Sequence, residues 1–196
     1  SEAIVLNKIA SLYFGMKQYD KAITYYEEAL EIVSEEEFIP AISALCINIG
    51  NVYSNMFEEE NDSLKKSDYL KTADSYYQKA LPMKRELNDL KGLSTCLLNL
   101  GLNHTRKKEF ITAVQYFEES IKISKEINYS VNLYNAYQNL ANAYVNSGQY
   151  KKALRYAEYV FNADKSSSFE ADIHTKYKNH YVLAMIYKNL NIPNKA

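Results

Sequence analysis

Tyr19 to Leu30 reads YDKAITYYEEAL, and the same figure returns three times: YLKTADSYYQKAL from Tyr69 to Leu81, FITAVQYFEESI from Phe110 to Ile121, and YKKALRYAEYVF from Tyr150 to Phe161. Each copy has an aromatic residue or Leu (Tyr19, Leu70, Phe110, Tyr150) with Ala three residues on (Ala22, Ala73, Ala113, Ala153). An aromatic residue or Ala comes four later (Tyr26, Tyr77, Phe117, Ala157). Spacings of three and four put these positions on one side of a helix. Ahead of each copy lies a second figure: LNKIASLY ending at Tyr13, CINIGNVY at Tyr53, LLNLGLNH at His104 and YQNLANAY at Tyr144. A fifth, HYVLAMIY, ends at Tyr187. Two helices approach closely only where small side chains meet, so a recurring Ala or Gly beside a recurring large ring describes helix pairs that cross at fixed points. One pair cannot bury its own apolar stripe, so neighbours must stack.

These residues resemble the tetratricopeptide repeat, over nearly the whole chain. The family's small position in its first helix falls on Ala10, Gly50, Gly101, Ala141 and Ala184, and its second-helix alanine on Ala22, Ala73, Ala113, Ala153 and Ala196. Successive alanines are 51, 40, 40 and 43 residues apart, so the underlying period is longer than the family's common one of about 34. Long repeats of this kind resemble those of kinesin light chains, spindle-orientation adaptors and peptide-responsive bacterial regulators. Two family marks are missing. Where the family carries Trp this chain has Leu6, Cys46, Leu97, Tyr137 and His180, and Ser34, Arg85, Lys125 and Lys165 replace its helix-ending proline. Without that stop the second helices can continue for about another turn.

The expected fold is therefore all-α: a right-handed α–α superhelix of four full helix pairs and the first helix of a fifth. The expected repeats span 3–37, 38–88, 89–128 and 129–166, with a truncated fifth helix at 168–191. The second carries eleven extra residues, MFEEENDSLKK from Met56 to Lys66, read as a solvated loop between helices with Asp62 or Ser67 capping the second helix of that repeat. Ser1 in place of Met, and a fifth pair barely begun at Ala196, lead us to expect a piece of a longer protein.

Composition narrows the function. With 23 Lys and Arg against 24 Asp and Glu, no global field draws nucleic acid or an anionic membrane. No apolar run reaches the length of about 18 residues that a membrane helix needs. Cys46 and Cys96 fit neither a disulfide framework nor zinc spacing, and both fall on apolar helix faces as buried, inert thiols. His174 and His180 are six residues apart, not the three or four that pair ligands on one helix face, and His104 occupies an aromatic core position. No phosphate loop, nucleophile elbow or metal-binding helix motif is present. We therefore expect no enzyme activity, no cofactor and no metal.

The free face of the first helices is where a ligand is expected. If repeat positions 4, 7, 8 and 11 pack inward, positions 2, 5, 6, 9, 12 and 13 point the other way, and the resemblance implies that this face lines a concave groove. Ten of the chain's 19 asparagines fall at those positions, and none of the positions is acidic. Asn is a mediocre helix former, so its density there needs a reason. A carboxamide matches the C=O and N–H of a peptide bond, so Asn48, Asn51, Asn99, Asn135, Asn139 and Asn142 are candidates to grip an extended backbone. Lys8, Arg106 and Lys188 are candidates to select acidic groups. The other reading is that these asparagines serve hydrogen bonds between neighbouring helices. The expected partner is a protein or peptide, with self-association through the exposed last helix as the alternative. The expected setting is a larger, bacterial regulator in the cytoplasm, or a periplasmic sensor domain.

Overall fold

In the computed structural model, which describes residues 2–165 and 173–192, the described residues form nine helices, the first eight joined by short turns. They are α1 (Glu2–Gly15), α2 (Tyr19–Glu35), α3 (Ile39–Glu59), α4 (Ser63–Glu86), α5 (Leu90–Arg106), α6 (Phe110–Glu126), α7 (Ser130–Asn146), α8 (Tyr150–Lys165) and α9 (Ile173–Asn189). The start of the fifth repeat expected at residue 168 and its alanine at Ala196 lie outside the described residues, as does the side chain of His174. Each helix packs on the next, forming a right-handed superhelix. The odd-numbered helices also approach one another (α3–α5, α5–α7, α7–α9), and the even-numbered ones do not do so to the same degree. The stack therefore curves with the odd helices inside.

The small-beside-large rule sets the helix crossings. Gly50 faces the ring of Tyr77 and Gly101 that of Phe117, so closely that a Cβ would stand 2.6 Å and 2.5 Å from ring carbons. Ala10, Ala22, Ala29, Ala73, Ala80, Ala113 and Ala153 have no exposed surface. Cys46 and Cys96 are free and buried, and burial pushes the Cys96 thiol up to about 12. Such a thiol stays protonated and unreactive at neutral pH.

Seven turns among the described residues share one device. Lys17, Glu37, Asn88, Lys108, Asn128 and Asn191 all have positive φ, and Gly148 plays the same part after α7. After α5, for instance, the Lys108 N–H reaches Thr105 O and the Glu109 N–H reaches His104 O, closing the helix and reversing the chain. Asn tolerates this conformation, whereas Lys and Glu hold it at a cost. Lys108→Gly is accordingly expected to raise stability by about 0.5–1 kcal/mol in urea unfolding, since relief of the left-handed backbone exceeds the extra unfolded-state entropy.

The stretch from Met56 to Lys66 corrects the expectation of a loop. Met56–Glu59 continue α3 and Ser63–Lys66 begin α4, leaving Glu60, Asn61 and Asp62 as the link. Met, Glu, Leu and Lys are strong helix formers, and Asp62 is the cap, its carboxylate accepting the N–H of Leu64 at 2.8 Å and of Lys65 at 3.3 Å. The extension acts as a brace. Glu59 accepts from Lys17 at 2.7 Å and from the Tyr19 hydroxyl at 3.1 Å, while Glu58 takes Arg106 of α5.

The outer face of α1 is open. Leu45, Ile49 and Val52 of α3 are buried in one cluster with Ala22, Tyr26, Ala29 and Val33 of α2. Of the matching residues of α1, Ile9 is half-buried, while Val5 is 56% and Leu12 64% exposed.

Candidate functional site

The concave face is built from α1, α3, α5, α7 and α9, and its side chains fall into two regions. In the first half, carboxamides are joined across repeats. Asn48 Nδ2 donates to Asn7 Oδ1 at 3.2 Å, and Asn99 Nδ2 donates to Asn51 Oδ1 at 2.8 Å. Asn51 Oδ1 also accepts the Tyr77 hydroxyl at 2.8 Å. The chain from Tyr77 through Asn51 to Asn99 thus ties α4, α3 and α5 together. Burial dominates in pushing the Tyr77 hydroxyl well above the usual phenol range, so it remains a donor.

These bonds support the reading that the asparagines serve helix-to-helix packing, yet they use only part of each amide. A carboxamide has two N–H donors and an oxygen with two lone pairs. Asn51 has committed its oxygen and keeps its NH2 group, whereas Asn48 and Asn99 each keep an oxygen and one N–H. All three residues are half-buried.

In the second half the arrangement changes. Asn139 turns its Nδ2 back onto the Asn135 carbonyl of its own helix at 2.8 Å, and Asn135 and Asn142 are half-buried beside it. The link to the next repeat is made instead by Gln138, which donates to Asn179 Oδ1, while Asn179 Nδ2 donates to the Tyr134 hydroxyl at 2.6 Å. Gln138 was legible as a groove position; Asn179 was not. It takes a position where the earlier repeats carry Val5, Leu45, Cys96 and Ala136, so a consensus built from those copies reads it as core.

The basic candidates divide as well. Arg106 is not a free charge: its Nε and Nη2 meet Glu58 Oε1 at 2.8 Å and 2.7 Å, its Nη1 donates to Ser54 Oγ, and it lies 5.6 Å from the Phe57 ring centre. A guanidinium so paired has little left for an acidic ligand, and Glu58 adds a carboxylate to a rim whose expected positions held none. Lys8 and Lys188 are exposed and make no ion pair among the described residues. The nine candidates therefore share one face but do not converge on one point: Lys8 and Lys188 mark its ends, on α1 and α9.

His104 is buried against Tyr116, with ring centroids 5.3 Å apart, and lies between two carboxylates: its Nδ1 meets Glu109 at 2.5 Å and its Nε2 faces Asp74 at 3.5 Å. Among the described residues no group of three or more His, Cys, Asp or Glu is placed to hold a metal, and no helix is long and apolar enough to cross a membrane.

Comparison with known proteins agrees with this geometry. The family profile of the tetratricopeptide repeat matches residues 93–166, and a second profile with the same description matches residues 3–34. No curated protein is matched by sequence. Among solved structures, BtubC (BKLC) from P. vanneervenii is similar at TM-score 0.79 and 17% identity, over 95% of this chain and 72% of that one. A putative kinesin light chain of Podosopora anserina, with nearly identical TPR-like repeats, gives 0.72 and 14%, over 95% and 86%. Aspartyl phosphate phosphatase F from Bacillus subtilis gives 0.73 and 19%, over 96% of this chain but only 49% of its own length. At such identities these likenesses speak for the fold.

Proposed function

We propose that this chain, which belongs to the tetratricopeptide-repeat family, is a non-catalytic scaffold that binds an extended peptide along its concave face, as the sensing or interaction module of a larger bacterial regulator. The observation that carries the reading is the run of half-buried carboxamides on successive inner helices, each with hydrogen-bonding capacity the fold leaves unused. A peptide backbone offers a donor and an acceptor per residue, and a row of amides supplies the complement without selecting side chains. Two free, buried cysteines fit a cytoplasmic setting. Binding would favour one curvature of the superhelix over others, which a neighbouring domain could read.

The test separates ligand binding from packing. Among the described residues Asn139 bonds only within its own helix, and no hydrogen bond joins the Asn142 side chain to another repeat, so Asn139→Ala/Asn142→Ala is expected to leave urea unfolding within about 0.5 kcal/mol of the parent. The same pair is expected to weaken a groove-bound peptide by about 1–3 kcal/mol in fluorescence anisotropy against a random peptide library. Equal affinities for parent and double variant would end the groove reading. Because one structural neighbour is named a phosphatase, hydrolysis of acetyl phosphate is the matching check on the absence of catalysis, and turnover by the parent chain would overturn it.

A second reading, self-association, has its own observation. Val5 and Leu12 on α1, with Met16 just after it, and Tyr177 and Tyr181 on α9 are exposed at opposite ends of the stack, and copies could join through them. Light scattering across a concentration series decides: a constant monomer mass removes this reading.

A further inference from the structure

We infer that the junction between the first two helix pairs holds a pocket for one bulky, uncharged apolar side chain of the groove-bound peptide, an inference that rests on the reading just given. The pocket has a volume of about 240 Å³ and lies where the N-terminal ends of α1 and α3 meet the C-terminal end of α2. Val33 and Leu45 are its buried floor, at 3% and 4% exposure, and Ile4 and Phe38 stand at its rim, 55% and 53% exposed. Asn7 and Ala44 belong both to its wall and to the concave face, so it opens at the groove's edge beside the Asn7–Asn48 bond. An apolar cavity of about 150 Å³ is enough to take benzene, so this one accommodates the side chain of Leu, Met or Phe. Glu36 at the wall disfavours an acidic one.

What sets this junction apart is that the same place is filled in the next two. In the second junction Lys84 stands where the first has Val33, Asp89 where it has Phe38, and Gly92 where it has Ala41. The Lys84 stem is buried across the space and its ammonium meets Asp89 at 2.8 Å; a Cβ on Gly92 would stand 3.0 Å from Lys84 Cδ, so glycine makes the room. In the third junction Ser124 and Asn132 take the places of Val33 and Ala41. Asn132 Nδ2 donates to Ser120 at 3.0 Å and to Ser124 at 2.9 Å, and Ser120 donates to Ser94 O at 2.7 Å, all buried. One junction is closed by an ion pair and one by a polar network. The first, of the same backbone design, has an apolar floor and rim, with Asn7 and Glu36 in its wall, and is left open to the ligand face.

The test copies the protein's own plug. Val33→Lys/Phe38→Asp/Ala41→Gly transfers the second junction's closure to the first. The 196-residue chain is titrated with N-acetyl-leucinamide and N-acetyl-alaninamide while the methyl NMR signals of Ala41 and Ala44 are monitored. Its affinity is then measured by anisotropy for library peptides that differ only as Leu, Phe or Ala at one position. Leucinamide is expected to shift both methyl signals of the parent, and the best peptides to prefer Leu or Phe over Ala by about 10- to 100-fold. In the plugged variant the preference should fall to within about twofold. If that variant fails to fold, Ala44→Leu, on the exposed face, narrows the mouth instead. A Leu preference that persists through both variants, or leucinamide shifts absent from the parent, would overturn the pocket. Peptides that bind through Asn139 and Asn142 without any Leu preference would remove the pocket and keep the groove. Leucinamide shifts in a chain that binds no peptide would do the reverse.

Discussion

Asp89→Ala is expected to destabilise the chain by about 3 kcal/mol, the lower end of the range for breaking a buried ion pair. Asp89 has two tasks. Its Oδ2 holds the Lys84 ammonium at 2.8 Å, on a side chain only 8% exposed, and its Oδ1 accepts the Gly92 N–H at 2.8 Å to cap α5. Removing it leaves a buried cation without its ion-pair partner and the helix without its cap, the latter worth about 1 kcal/mol. Asp89 itself is 39% exposed, so water can partly replace it, which is why the lower end applies. Lys84→Met should by contrast stay within about 1 kcal/mol of the parent, since a Met stem fills the same space and the carboxylate still caps. Urea unfolding of both variants checks the asymmetry; equal losses would mean that the pair stabilises rather than merely compensates burial. The pH dependence has a definite sign. Burial pulls the Asp89 carboxyl upward, but the bonds from Lys84 and Gly92 outweigh it and hold it below its ordinary value. Its contribution is therefore complete above the unfolded value of about 3.9 and is lost as pH falls through the lower folded one.

Gly101→Leu is expected to cost about 3 kcal/mol, the upper end for an overpacked core, and Gly101→Ala about 1 kcal/mol. At Gly101 even a Cβ would stand 2.5 Å from Cε1 and 2.6 Å from Cδ1 of Phe117, a ring with no exposed surface in which to move. Alanine recovers some of the strain through its better helix propensity, by about 1 kcal/mol, but leucine has no such margin. The fourth repeat supplies the control within the same molecule. There Ala141 faces a position held by Ala157 instead of an aromatic ring, so Ala141→Gly should cost only the helix-propensity difference of about 1 kcal/mol. Thermal unfolding of the three variants orders them, and a Gly101→Leu protein as stable as the parent would show that α5 and α6 can separate freely.

The sequence by itself determined what depends on local period. Helices with Ala or Gly opposite large residues, repeating at fixed distance, leave no other economical burial of their stripes, so the all-α superhelix, the inert cysteines and the inward-facing alanines were legible from YDKAITYYEEAL and its copies. The face opposite the packed one follows from 100° per residue, but the stack buries some of its positions, such as Ile47, Ser54 and Leu98. Tertiary structure decided what depends on residues far apart in the chain. Asn51 is committed to Asn99, 48 positions away, and Arg106 to Glu58 at the same separation, and no local pattern encodes either. Most of the MFEEENDSLKK segment became helix through its strong helix formers and the Asp62 cap, but which partners Glu59 and Glu58 meet, Lys17 and Arg106, was set across the stack. Whether Val33, Lys84 or Ser124 leaves a junction open or closes it is set by what reaches across from the next helix. Periodicity fixes which way a side chain points; only the packed neighbours decide what it meets there.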